Sequence, residues 1–317
     1  MNLGEIYDFV VKRGIAKDPR TKKELKEERK RVHRSFTKLT KGEKKCFDRD
    51  MLRHPFADTR ILYGEKSKDI RTAMVGIDIS GEELVTAYLL NEKGAGIDLA
   101  ISHHPSGRAL ANLYNVMHLQ TDVLTHLGVD RNVASSLMKE RVGEVSRRFS
   151  GLNHQRTVDT ARLLNMPLMC AHTVADNHVC HFLTTLFEKK NPKNVQEVLR
   201  LLRAIPEYRD GMIKGSGPHL LTGKDKNKSG RVFVDMTGGT EGSKRIFARL
   251  SQAGVGTIVA MHLSEEHFKM AKAEFLNVVI AGHIASDNLG MNLLLDALVN
   301  KQKLDIIPCS GFFRVKR

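Results

Sequence analysis

From residue 72 onward the chain alternates short apolar runs with amphipathic ones, and this rhythm narrows the choice of fold more than any other feature. The runs "TAMVGIDI", "DLAIS", "PLMCA", "RVFVDM", "TIVAMHL", "NVVIAGH" and "DIIPCS" have the length and composition of strands. Between most of them lie "ELVTAYLLNEKG", "SKRIFARLSQAG", "EEHFKMAKAEF" and "NLGMNLLLDALVNKQ", whose apolar residues recur at helical spacing. Strands separated by helices pair largely in parallel, so the expected class is α/β. The stretches 106–165 and 178–204 read as nearly all helix, and so do the first 70 residues. The polar, glycine-bearing "GSGPHLLTGKDKNKSG" is expected as a turn region marking a lobe boundary. The resulting organisation is a helical N-terminal extension over 1–70, a first α/β lobe over 71–210, and a second over 211–317 that is continuous with the N-terminal part.

Composition removes several alternatives. No apolar run reaches the roughly 18 residues a membrane-spanning helix needs. The start "MNLGEIYDFVVKRG" lacks the pattern of a secretory signal, so cytoplasm is the expected compartment and no membrane partner is expected. Cys46, Cys170, Cys180 and Cys309 lie far apart and form no C-x-x-C pair, which argues against a disulfide scaffold and against thiolate zinc. A metal site here must use imidazole and carboxylate. The net charge is +15, of which residues 1–72 carry nine. A polyanion or a phosphate-bearing ligand would be drawn to such a surface. Yet in "KKELKEERKRVHR" acids alternate with bases at i,i+4 spacing, as on a solvated helix face. With no Trp and five Tyr, a base-stacking platform for nucleic acid has little support.

In open α/β folds ligands bind beyond the carboxyl ends of the strands. After "DLAIS" come His103 and His104; after "PLMCA" come His172 and Asp176; after "NVVIAG" come His283 and Asp287. Separate strand ends thus send imidazoles and carboxylates toward one edge. Neighbouring residues on an extended segment point apart, and Pro105 biases His104 toward extended backbone. The adjacent pair therefore suits two ions, or a cluster approached from two sides, with Asp176 and Asp287 available to bridge. Nitrogen and oxygen donors without thiolate suit zinc, iron or manganese. If Asp287 opens its helix, His283 sits in the turn before it and the helix N-terminus favours the negative charge. The structural alternative is that the paired histidines are polar caps of a strand and that Asp287 only caps its helix.

"GIDLAISHHPSG", "CAHTVADN" and "VVIAGHIASDNLG", with "DTRILYG", "VGIDIS" and "DMTGGTEG", resemble the Ngg-one-interacting factor three family, whose members are often labelled GTP cyclohydrolase I type-two homologues. The resemblance extends to the final "IIPCSGFFRVKR". It implies two similar α/β lobes, two divalent metal ions in the cleft between them, and a ring-shaped homohexamer. Carried over by motif, the ligands fall on His103, His104, Asp176, His283 and Asp287. His172 becomes a supporting residue or an accessory ligand. The family's usual last ligand is a glutamate; Asp287 is one methylene shorter, which bears on whether it bridges both ions or holds one.

Gly238 and Gly239 in "DMTGGTEGSKRIF" would admit an anion at a helix N-terminus, or simply make a tight turn. "PHLLTGKD" fails as a phosphate loop because Pro218 replaces the first glycine and Asp225 the Ser/Thr. His262 faces the cleft or the surface without being expected as a ligand, and neither His267 nor His178 is expected as one.

Two functional readings follow. One is a metal-dependent hydrolase acting on a nucleotide or phosphate-bearing substrate through a metal-bound water. The other is a non-catalytic protein that stores, delivers or senses metal, or recruits partners.

Overall fold

The computed structural model describes all 317 residues, and in it the alternation resolves into two sheets. The strands are β1 (Thr59–Tyr63), β2 (Thr72–Gly76), β3 (Leu99–Ser102), β4 (Leu168–Ala171), β5 (His219–Thr222), β6 (Arg231–Asp235), β7 (Val255–Ala260), β8 (Asn277–Ile280) and β9 (Asp305–Cys309). The helices are α1 (Leu3–Ala16), α2 (Lys22–Thr37), α3 (Lys41–Cys46), α4 (Gly81–Glu92), α5 (Gly107–Ala111), α6 (His118–His126), α7 (Arg131–Ser150) and α8 (Arg156–Leu163). After β4 come α9 (Thr173–Lys190), α10 (Val195–Arg203), α11 (Pro206–Ile213), α12 (Phe247–Gln252), α13 (Glu265–Ala273) and α14 (His283–Val299).

One sheet runs β1-β4-β3-β2-β9 and the other β5-β8-β7-β6. In each, the first strand in sequence forms an antiparallel edge against the fourth, while the inner strands pair in parallel. The lobes therefore share one connectivity, with β1 to β4 matching β5 to β8. β9 is added at the far edge, where Pro308 costs the ladder nothing.

The segment boundaries expected at 70/71 and 210/211 do not follow the sheets. β1 and β9, from the two ends of the chain, both join the first sheet. α6 and α7 pack Leu124, Ala134 and Leu137 on the second sheet against Phe233 and Ile258, although they precede it by some hundred residues. α1 is part of the first sheet's core through Leu3, Ile6, Tyr7 and Val10. Both antiparallel edge strands fall where a helical extension or a turn was expected. β1 sits in the N-terminal segment, and β5 sits inside the glycine-bearing stretch.

Strand alternation divides each sheet's faces. Ala73 and Val75 face the core built with α1, and Met74 faces α4 and α8. Val278 and Ile280 face α6 and α7, and Val279 faces α9 and α10. α9 and α14 serve both sheets. In α9, Val174 and Ala175 join the first core, then Val179, Leu183 and Phe187 join the second. α14 does the reverse, with Ala285 and Leu289 in the second core and Met291, Leu294 and Leu298 in the first. They cross at Gly290, where any Cβ would stand 2.5 Å from the Ala175 carbonyl oxygen. By contrast α2 buries no residue; Lys30 pairs within it with Glu27 at 2.9 Å, and Glu24 reaches His126 of α6 at 2.9 Å. No helix is long and apolar enough to cross a membrane.

Candidate metal centre

β2, β3 and β4 run parallel, so their carboxyl ends share one edge, and those of β6, β7 and β8 share another. Residues following β3, β4, β6, β7 and β8 line one cavity of about 260 Å³. His172 is the N-cap of α9 and contributes no side-chain cap. His283 is the first residue of α14, entered through Gly282 at φ +104°. The expectation that Asp287 opens that helix is corrected: the helix starts a full turn earlier. Asp176 and Asp287 therefore stand i+4 from a histidine, on its face of the helix, and neither carboxylate caps a backbone.

Both stretches read H-x-x-x-D-N, "HTVADN" and "HIASDN", at equivalent points of the two lobes. Ser102 pairs with Cys170 and Ala260 with Ile280, so aligning the two stretches brings His262 into register with His103.

The geometry around Asp287 answers how adjacent histidines can converge. Oδ1 of Asp287 lies 3.4 Å from His103 Nε2, which is also 3.5 Å from Asp176 Oδ1. Oδ2 lies 3.5 Å from His104 Nε2 and 3.6 Å from His283 Nε2. The rings of His103 and His104 are 5.1 Å apart and inclined at 48°, reaching opposite oxygens of one carboxylate. Three groups have donor atoms mutually close enough to share an ion: His103–Asp176–Asp287, His104–His283–Asp287 and His103–His104–His172.

Hydrogen bonds behind the rings fix which nitrogen faces inward. A carbonyl or an ionised carboxylate only accepts, so the ring Nδ1–H donates. His103 donates to the Ala171 carbonyl at 3.3 Å, His104 to Asp78 at 2.8 Å and His172 to Asp58 at 2.8 Å. Thr173 also donates to Asp58, at 2.6 Å. In each ring Nε2 is the nitrogen turned toward the cluster; on neutral His103 it offers a free lone pair, and on His104 and His172, both shifted upward, it does so once its proton is displaced, the arrangement that metal-binding imidazoles use.

Protonation follows from burial and charge. Burial pushes Asp176 up to about 8, with Asp287 and Asp58 adding to the rise against the opposing His172. Burial would raise Asp287 too, but His103, His104 and His283 outweigh it and hold its carboxyl far below the usual range. Burial lowers His103 to about 4, and it lowers His283 as well. His104 is likewise opposed by burial, but Asp287 and Asp78 hold it up at about 10. Oδ1 of Asp176 and both oxygens of Asp287 are buried without a hydrogen-bond partner. Such orphans are costly unless something positive completes them.

Other expected residues fall elsewhere. Gly238 and Gly239 hold positive φ, and a Cβ on them would strike Gln120 and Val116 of the helical segment beneath. They let the loop lie close on that segment, and no long helix begins behind them. His178 bonds the Val174 carbonyl and joins none of the donor groups. His262 lines the cavity, its ring stacked on His283 at 4.8 Å, and His267 is bonded to Ser264 and Gly242. The sequence reading overlooked Asp58, Asp78, Asp235 and Glu241. Asp78 and Asp235 lie at or just past strand ends, so the same strand-end rule applied to β2 and β6 would have found them.

No family model and no curated protein matches the chain. Solved structures do. A NIF3 superfamily protein from Sphaerobacter thermophilus matches at 26% identity and TM-score 0.71, over 82% of this chain and 94% of that one. Reduced HcgD from Methanocaldococcus jannaschii matches at 16% identity and TM-score 0.49, over 80% and 92%. The protein ybgI matches with the same figures. The chain thus shares the fold of a NIF3 superfamily protein, and the motifs through which it resembles the family of Ngg-one-interacting factor three fall at that fold's strand ends.

Proposed function

We propose that the cluster is a dinuclear metal centre and that the protein is a metal-dependent hydrolase. The observation that carries the reading is Asp287, a fully buried carboxylate with no hydrogen bond to either oxygen, each oxygen facing a different set of imidazoles. His103 and Asp176 would hold one ion, His104 and His283 the other, with Asp287 between them. The shorter side chain is no obstacle to bridging, because its position on α14 already brings both oxygens to the two groups. Donors of this chemistry suit zinc, iron or manganese. Ions held here would supply Lewis acidity, acidifying water and polarising a scissile bond. The chain itself contributes ring orientation through Asp78, Asp58 and the Ala171 carbonyl, and an apolar wall of Leu110, Leu113 and Phe149 that limits water.

The test is metal content per chain by plasma mass spectrometry, followed by a hydrolysis screen. Wild type should carry about two ions and Asp287→Ala almost none, with turnover disappearing in parallel. Equal metal in both proteins would refute the centre. Metal without turnover on any ester, amide or ring substrate would favour metal storage or delivery.

A further inference from the structure

The molecule is strongly basic, yet no lysine or arginine lines the cavity. Across from the donor cluster, the second lobe presents acceptors. Glu241 is largely enclosed, and its Oε1 is fixed by the Ser264 N–H at 2.7 Å and stands 3.9 Å from His262 Nε2. Its Oε2 receives no hydrogen bond, and the nearest cationic candidate is His267 Nδ1, at 3.8 Å and already bonded to Ser264. Asp235, at the carboxyl end of β6, also lines the cavity, and its side chain makes neither a hydrogen bond nor an ion pair. Burial, then the charge of Glu241, pushes Asp235 up to about 6, so near neutral pH Asp235 is largely ionised beside Glu241. Two neighbouring anions without a cation between them repel each other, and a ligand bearing N–H donors relieves that repulsion. Leu110, Leu113, Phe149 and Leu263 supply an apolar surface beside them. At about 260 Å³ the space lies near the lower end of small-molecule pockets, which run from roughly 300 Å³.

We infer that the ligand of this cavity is a small nitrogen-bearing molecule, amidine-like or guanidine-like at one end and apolar at the other, whose N–H donors engage Glu241 and Asp235. A phosphate group finds no cationic side chain on this wall and two carboxylates against it. The basic surface of the N-terminal segment and the chemistry of the cavity are separate matters. The inference rests on the cavity being the working face of the proposed metal centre.

Calorimetric titration of the metal-loaded protein tests it, with matched probes: benzamidine against benzoate, and methylguanidine against methyl phosphate. Both cations should bind, and Glu241→Gln or Asp235→Asn should weaken them at least tenfold while metal content per chain stays at the wild-type level. Gln keeps the oxygen that accepts from Ser264, so the first variant tests charge rather than folding. Anions binding as well as the cations, cation binding unchanged in both variants, or no cation binding at all would each overturn the inference. Metal analysis of the same samples keeps the two readings apart. A wild type that takes up no metal but binds the cations through Glu241 would refute the metal centre and leave the acidic wall standing.

Discussion

Raising the pH should tighten metal binding in two stages, because two of the proposed ligands hold protons that an ion must displace. At pH 7 His104, held up at about 10, is fully protonated, and Asp176, pushed up to about 8, is roughly nine-tenths protonated. His103, lowered to about 4, brings no proton, and Asp287 and His283, both shifted downward, bring none either. Filling the site at pH 7 should therefore release close to two protons, and at pH 9 about one. The sign is fixed by both shifts being upward: protonated ligands compete with the metal below these values and stop competing above them. Between pH 6 and pH 8 the apparent association constant should rise by roughly three to four powers of ten, then by about one per pH unit up to pH 10. Titrating apo-protein calorimetrically in buffers of differing ionisation enthalpy counts the protons, and competition with a chelator of known affinity gives the slope. Metal affinity that is flat between pH 6 and pH 9, or binding without proton release at pH 7, would refute the assignment of His104 and Asp176 as ligands.

The remaining predictions concern single residues. Asp78→Ala frees the His104 ring, which belongs with His283 in one donor group, and should weaken one ion by about 10- to 100-fold while the other, held by His103 and Asp176, is retained; metal content after graded dialysis checks it. Gly290→Ala would drive a Cβ against the Ala175 carbonyl, which is backbone and cannot swing aside. It should cost roughly 1–3 kcal/mol in thermal or denaturant unfolding and loosen metal retention at the same time. Leu294→Ala, 1% exposed in the first core, should cost about 2–5 kcal/mol while leaving metal stoichiometry at the wild-type value.

The inner parallel strands were legible because they are buried on both faces and read as apolar runs, and the residues ending them follow from the parallel arrangement. The strands that escaped notice are the antiparallel edges. β1 is only half apolar and sits among charged residues, and β5 carries His219 and Thr222 between Pro218 and Gly223, so turn signals hide it. The assignment of α6 and α7 to the second sheet is a long-range packing outcome that no local pattern encodes. In the site, the donors were found one strand end at a time. Their supporting carboxylates were not, since Asp58 precedes β1 and meets His172 only across a pairing of strands distant in sequence. The doubled H-x-x-x-D-N was in plain view, but two occurrences so far apart become a repeat only when the sheets are superimposed.

The crossing of α9 over α14 decides how this molecule can move. Each helix is anchored in both cores, in opposite order along its length, and the two backbones touch where they pass. Enzymes with a site between two lobes often open and close it by swinging one lobe on a hinge. Here such a swing would have to tear one packed half of each helix from its sheet, so traffic into the cavity must depend on smaller displacements, such as rotation of the half-exposed His262 and His283 rings at its rim. It also means that neither lobe can assemble its share of the ligands alone. An ion held here would act as a clasp on the finished chain, resisting proteolysis and hydrogen exchange in both sheets at once.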